Sequence, residues 1–198
     1  MAGDLALLVL AALPLMGSPG PATLSLAGMG AAYGVTRSLR YAAGVNIGTI
    51  AVVLLIATGV TAVLLGVPGI QTAAMVLGGA YMLYLAWHIA TAPPVVKDGP
   101  ASHAPSFAGG FVLAIANPKA YAAIGAVYAG SLVETDDDAR TALAKVLVLS
   151  LLAVAVNTTW LAFGASIATI LRDPAKARVA NLIFAGLLLA SVAFAALG

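Results

Sequence analysis

The sequence contains no cysteine, which excludes disulfides, thiolate nucleophiles and cysteine-ligated metal or iron–sulfur centres. Its two histidines, His88 and His103, are well separated and offer no ligand cluster. Charge is scarce: Asp, Glu, Lys and Arg make up 8% of 198 residues, where a soluble domain carries about a quarter. So few charges cannot cover a water-facing surface. With 62% apolar residues and a mean hydropathy of +1.07, the solvent for most of this chain is lipid. The formal charge of +2 points to no nucleic-acid partner, because the basic residues sit mostly between apolar runs and read as topology signals.

Carboxylates are absent from every apolar segment, and no GxxxxGK[ST] phosphate-binding pattern occurs. A nucleophile with its base, a metal cluster and direct nucleotide use all lack their residues. The composition therefore argues against an enzyme and implies no cofactor.

What is present is apolar length. Six stretches, 5–33, 41–65, 69–91, 107–129, 142–169 and 179–197, can each cross a hydrocarbon core about 30 Å thick, which takes roughly 20 helical residues. The opening "LALLVLAALPLM" follows Asp4 without a preceding Lys or Arg, and the apolar run continues beyond it. That favours a first membrane helix with a break over a signal peptide. Loops one, three and five hold six Lys and Arg: Arg37, Arg40, Lys97, Arg172, Lys176 and Arg178. The alternate side holds Arg140, with Lys145 at its edge, beside Glu134, Asp136, Asp137 and Asp138. This bias predicts a multi-pass membrane protein with both termini outside.

Pro93, Pro94, Pro100 and Pro105 predict a stiff linker over 93–106. It divides the chain into three-helix halves, 1–92 and 107–198, and an odd number of spans per half gives them inverted topology. The expected fold is an all-α membrane protein whose first and fourth helices are broken near mid-membrane. Pro19, Gly20 and Pro21 mark the first break and Pro118 the second. Each proline removes an intrahelical donor and frees a carbonyl, so the breaks either expose backbone polar groups at depth or merely kink packed helices.

Lys119 lies deep in the fourth span, where an ammonium costs roughly 2.5 kcal/mol or more. Three roles fit it: holding a substrate carboxylate, anchoring carbonyls freed at the breaks, or carrying a coupling proton. Asn117, Asn46, Asn157 and Asn181 should turn inward, because lipid cannot satisfy an amide. Asn157, Thr158 and Thr159 in "AVNTTWLAFG" fit substrate binding or interhelical hydrogen bonding. Tyr81, Tyr84 and Trp87 form a stripe in which Tyr81 is a candidate pocket residue and Trp87 and His88 interfacial groups. Glycines in "GAAYG" (30–34), in "GVNIG" (44–48) and at 78–79 suit close helix packing. Substrate-binding candidates are thus Lys119, Asn117, Asn46, Asn157, Thr158 and Tyr81. A carrier, an anion-selective or small-solute channel, and a purely structural membrane protein all remain open on these residues.

The stretches "GSPGPATLSLAGMGAAYG" (17–34), "TRSLRYAAGVNIG" (36–48), "GGAYMLYLAW" (78–87) and "FAGGFVLAIANPKAYAAIGA" (107–126) resemble the LysE/RhtB family of amino-acid exporters. Its early Pro-Gly-Pro and later Asn-Pro-Lys correspond to Pro19, Gly20, Pro21 and to Asn117, Pro118, Lys119. Where members often follow the first motif with Asn or Asp, this chain has Ala22 and lacks that polar handle. The resemblance implies a secondary transporter of the inner (cytoplasmic) membrane, surrounded by membrane lipids. It would export amino acids or related small metabolites, exchange them with protons, and have scope to form a homo-oligomer.

Overall fold

The computed structural model describes residues 2–61, 67, 69–91, 106–131, 133, 137–170 and 173–197. The Pro-rich linker, save for Ser106, lies outside them, as do Glu134, Asp136 and Arg172. The described elements are helical: α1 (Ala2–Gly17), α2 (Pro21–Ala57), α3 (Ile70–Ala90), α4 (Phe107–Ile115), α5 (Pro118–Ala129), α6 (Asp138–Ile170) and α7 (Pro174–Leu197).

Both interruptions fall at the expected prolines. α1 stops at Gly17, Gly20 is extended with φ −174 and ψ −179, and α2 starts at Pro21. α4 stops at Ile115, Asn117 caps the next helix, and Pro118 opens it. A proline at the first helical position forfeits an N–H that has no intrahelical partner there anyway, so each proline starts a helix as it ends the previous one. α4 and α5 meet at 58°.

The connection after the first break departs from expectation. α2 runs for 37 residues, yet Gly34, at φ 75 and ψ 170, folds it back on itself. The Ser38 hydroxyl donates to the Met29 carbonyl at 3.1 Å, and the Tyr41 hydroxyl to Ser25 Oγ at 3.0 Å. In a straight helix residues 25 and 41 would lie about 24 Å apart. Arg37 and Arg40 therefore belong to the second arm of a helical hairpin, not to a loop. Lys176 and Arg178 likewise fall inside α7, which starts early because the Asp173 carboxylate accepts from the Ala175 amide at 2.8 Å.

By length and composition alone Pro21–Ala57, which the Gly34 turn divides into two arms, and Ala139–Ile167 are long and apolar enough to cross a membrane, and the bent pair α4–α5 makes a third if it counts as one span. Exposed side chains such as Leu10, Leu151 and Trp87 are at least 66% accessible, as expected of a lipid-facing surface.

Two apolar clusters hold the bundle. One joins Leu26, Met29, Tyr41 and Val45 of α2 to Leu85 and Ile89 of α3, Leu113 of α4, Leu161 of α6 and Leu188 of α7. The other joins Leu8 and Ala12 of α1, Val52 and Val53 of α2, Ile124 and Val127 of α5, and Leu149 of α6. Missing side chains set the closest approaches. A Cβ at Gly30 would overlap the Leu161 carbonyl, and one at Gly164 the Ala27 carbonyl, so α2 and α6 touch backbone to backbone. Gly44 and Gly110 do the same for α2 and α4. Two glycines expected to pack do not: Gly34 makes the turn, and Gly79 faces open space.

Candidate functional site

The two breaks face one another across a cavity walled by the end of α1, both arms of α2, α5 and α6. Leu15, Met16, Thr23, Thr49, Asn117, Lys119, Val156 and Asn157 are among its lining residues. The volume is about 40 Å³, room for about three waters at 10–15 Å³ each.

Lys119 follows Pro118 in the first turn of α5, so its stem leaves the second break and crosses to the first. The half-buried Nζ donates to the carbonyl of Ser18 and to that of Pro19, the latter at 3.2 Å. Those oxygens have no intrahelical N–H partner because the chain between Gly17 and Pro21 is not helical, although the Thr23 hydroxyl also reaches the Ser18 carbonyl at 3.4 Å. Gly20 makes room: a Cβ there would lie 2.5 Å from Lys119 Cδ and 2.9 Å from Nζ. The Thr23 hydroxyl holds the turn, accepting from the Gly20 amide at 2.9 Å and donating to its carbonyl at 3.1 Å. Trp160 of α6 donates its indole N–H to the Gly17 carbonyl at 3.0 Å. Three successive carbonyls of the first break are thereby held by side chains of other helices.

Asn117, 4% exposed, caps α5 by position only: its side chain accepts nothing from the helix, and its Oδ1 has no hydrogen-bond partner. Asn157, 5% exposed, donates from Nδ2 to Asn46 Oδ1 at 2.8 Å, tying α6 to the second arm of α2. Among the described residues, none of those lining the cavity is a carboxylate.

Lys119, Asn117 and Asn157 line the cavity together, and Asn46 joins them through Asn157. Gly20 lines it and Pro19 supplies a carbonyl, while Pro21 and Pro118 start the helices that frame it. Two candidates lie elsewhere. Thr158 is exposed beside Asn157, and Thr159 returns its hydroxyl to the Ala155 carbonyl at 2.8 Å. Tyr81 sits at the α3–α4 contact, its hydroxyl against Gly109 and without a hydrogen-bond partner. Among the described residues, none of α3 lines the cavity, so the helix carries Tyr81 to a different contact. Asn181, 3% exposed, is buried on α7, also outside the cavity.

Sequence reasoning missed Trp160 and Thr49. Trp160 lies three residues after Asn157, on the same helical face, and its part-buried donor needed an acceptor. Thr49 stands three residues after Asn46 in the same way, although its hydroxyl returns to the Val45 carbonyl at 2.8 Å. The Ser18 and Pro19 acceptors are backbone atoms, which no residue type announces.

A bundle with an apolar exterior and a lysine ammonium held inside it between two interrupted helices has the character of a membrane transport protein. The chain belongs to the LysE type translocator family, whose family model matches residues 13–197. It is accordingly a membrane transporter of the LysE/RhtB exporter family and not an enzyme. No curated protein and no solved structure matches it.

Proposed function

We propose that this transporter is a secondary active exporter of amino acids or related small zwitterionic metabolites, working by alternating access and coupled to protons. In this reading 1–92 and 107–198 are two inverted three-helix halves joined by 93–106, set in the inner membrane with both termini outside. The solute enters from the cytoplasm, its carboxylate pairs with Lys119, and the halves rock to release it on the other side.

The observation that carries this reading is the uncompensated ammonium. Lys119 has backbone acceptors, and among the described residues no carboxylate lines its cavity. An ammonium inside a membrane costs about 2.5–3.5 kcal/mol by insertion scales, and carbonyl dipoles leave its net charge in place. A solute carboxylate supplies the missing counter-charge. The cavity of this state is small, about 40 Å³, and in this reading the halves separate to load a solute. Interrupted helices offer the hinge, since the chain leaves the helix between Gly17 and Pro21 and again at Asn117.

Protein reconstituted in liposomes, given an outwardly acidic pH gradient and labelled neutral, basic and acidic amino acids, tests both substrate and coupling. The expected result is saturable counterflow of at least one class, accelerated by the gradient. Intact protein that moves none of them would overturn the assignment.

A further inference from the structure

We propose that the carbonyls of Ser18 and Pro19 form the subsite for the primary ammonium of the transported solute, and that Lys119 occupies it as a tethered stand-in while the protein is empty. This rests on the export reading above and adds a rule for which solutes load.

The subsite is recognised by the group already in it. Lys119 ends in a methylene-linked ammonium with three N–H donors, the group that an amino acid carries on its α-carbon. Two of the donors reach the Ser18 and Pro19 carbonyls. A further acceptor stands on the same cavity: Asn117 Oδ1 is buried and unpartnered, although its N-cap position would ordinarily engage it with the first-turn amides of α5. A buried acceptor left in this state awaits a donor. An ammonium delivered by a solute brings one.

The stand-in is removable. Among the described residues no carboxylate pairs with Lys119, its four-carbon stem turns about single bonds, and the stem crosses Gly20 where no side chain obstructs it. The charges then select the ligand. A carboxylate arriving alone draws Lys119 away, strips the Pro19 carbonyl of its donor and leaves the Ser18 carbonyl only the Thr23 hydroxyl at 3.4 Å. An amine arriving alone places two cations side by side where the dielectric is low. A zwitterion does neither: its ammonium takes the carbonyls and its carboxylate takes the displaced Lys119. Loading is therefore an exchange of one ammonium for another, and it goes forward only for ligands that bear both charges.

Binding is read from the rise in thermal unfolding midpoint of the purified full-length protein with L-leucine, L-lysine and L-glutamate, and with the N-acetyl derivative and α-amide of each. This readout works even for variants that do not transport. In the unmodified protein both derivatives of the bound amino acid should have apparent Kd values at least tenfold above the parent. Lys119→Met empties the carbonyls and removes the partner of the carboxylate. Its α-amide should therefore bind at least tenfold more tightly than before and match the parent amino acid, while the N-acetyl derivative stays weak. Gly20→Ala is a second probe, because alanine adopts the extended backbone found there and its Cβ would lie 2.5 Å from Lys119 Cδ. It displaces the stem but keeps the charge, so the amide should gain at least threefold while the parent remains the tighter ligand.

N-acetyl derivatives that bind as well as their parents would overturn the subsite, as would an amide affinity unchanged within twofold in both variants. Failure to bind any of the three parents would also overturn it. Counterflow by the unmodified protein, measured separately, distinguishes these results: transport without an ammonium requirement sinks the subsite alone, and absence of transport sinks the export reading.

Discussion

At the scale of single residues, the interior is built from polar groups that satisfy one another or deliberately do not. Asn46 and Asn157 are a closed pair: Nδ2 to Oδ1 at 2.8 Å across two helices. Removing one partner leaves the other amide in a poorly solvated place, while removing both leaves an apolar contact. Asn157→Leu should lower unfolding free energy in detergent by about 1 kcal/mol, and the same should hold for Asn46→Leu. The double variant should lie closer to the unmodified protein than the sum of the two. Thermal unfolding of all four proteins checks this, and strictly additive losses would mean the pair is not coupled. Lys119 is the opposite case, with acceptors but, among the described residues, no counter-charge in its cavity. The amide pair reads as a structural clasp, and the lysine as the working group.

At the scale of elements, glycine and proline positions decide where the chain turns. Gly34 adopts φ 75 and ψ 170, a region open essentially to glycine alone, and folds α2 into a hairpin. Gly79 lies in the regular helix α3 and faces open space. Alanine at the two positions should act in opposite directions. Gly34→Ala should cost about 1–3 kcal/mol through backbone strain, since its Cβ meets nothing within 4 Å. Gly79→Ala should gain about 0.5–1 kcal/mol from helix propensity. Unfolding midpoints that move in the same direction for both would contradict this account of the hairpin. The sequence shows both glycines in apolar runs and suggests packing for each, because spacing does not encode φ.

At the scale of the whole molecule, two apolar clusters flank the cavity, and the interrupted helices meet between them. The basic residues Arg37, Arg40, Lys176 and Arg178 belong to the side expected to face the cytoplasm. The absence of cysteine makes orientation directly measurable, since any introduced thiol is the only one in the chain. Gly3→Cys should react with a membrane-impermeant maleimide in intact cells, and Lys176→Cys only after permeabilisation. The reverse pattern would invert the proposed topology and the direction of export. Gly3 suits this use because a side chain there meets nothing within 4 Å.

Order along the chain alone established a helical protein whose solvent is lipid, because 8% charged residues cannot face water and the apolar runs have the length of membrane-crossing helices. It also located the breaks at Pro19–Pro21 and Pro118, since a missing N–H and a fixed φ are properties of the residue and act wherever it stands. Asn117 and Lys119 were legible for a similar reason: polar groups in an apolar run must be satisfied inside the bundle. What satisfies them was decided by tertiary structure. The Ser18 and Pro19 carbonyls lie about a hundred residues from Lys119 in the chain and carry no side-chain signature, Trp160 reaches Gly17 from another helix, and Tyr81 is carried away from the cavity by α3. Residue chemistry is local and can be read along the chain, whereas partners are chosen by which backbones approach, and that choice follows from packing the entire bundle.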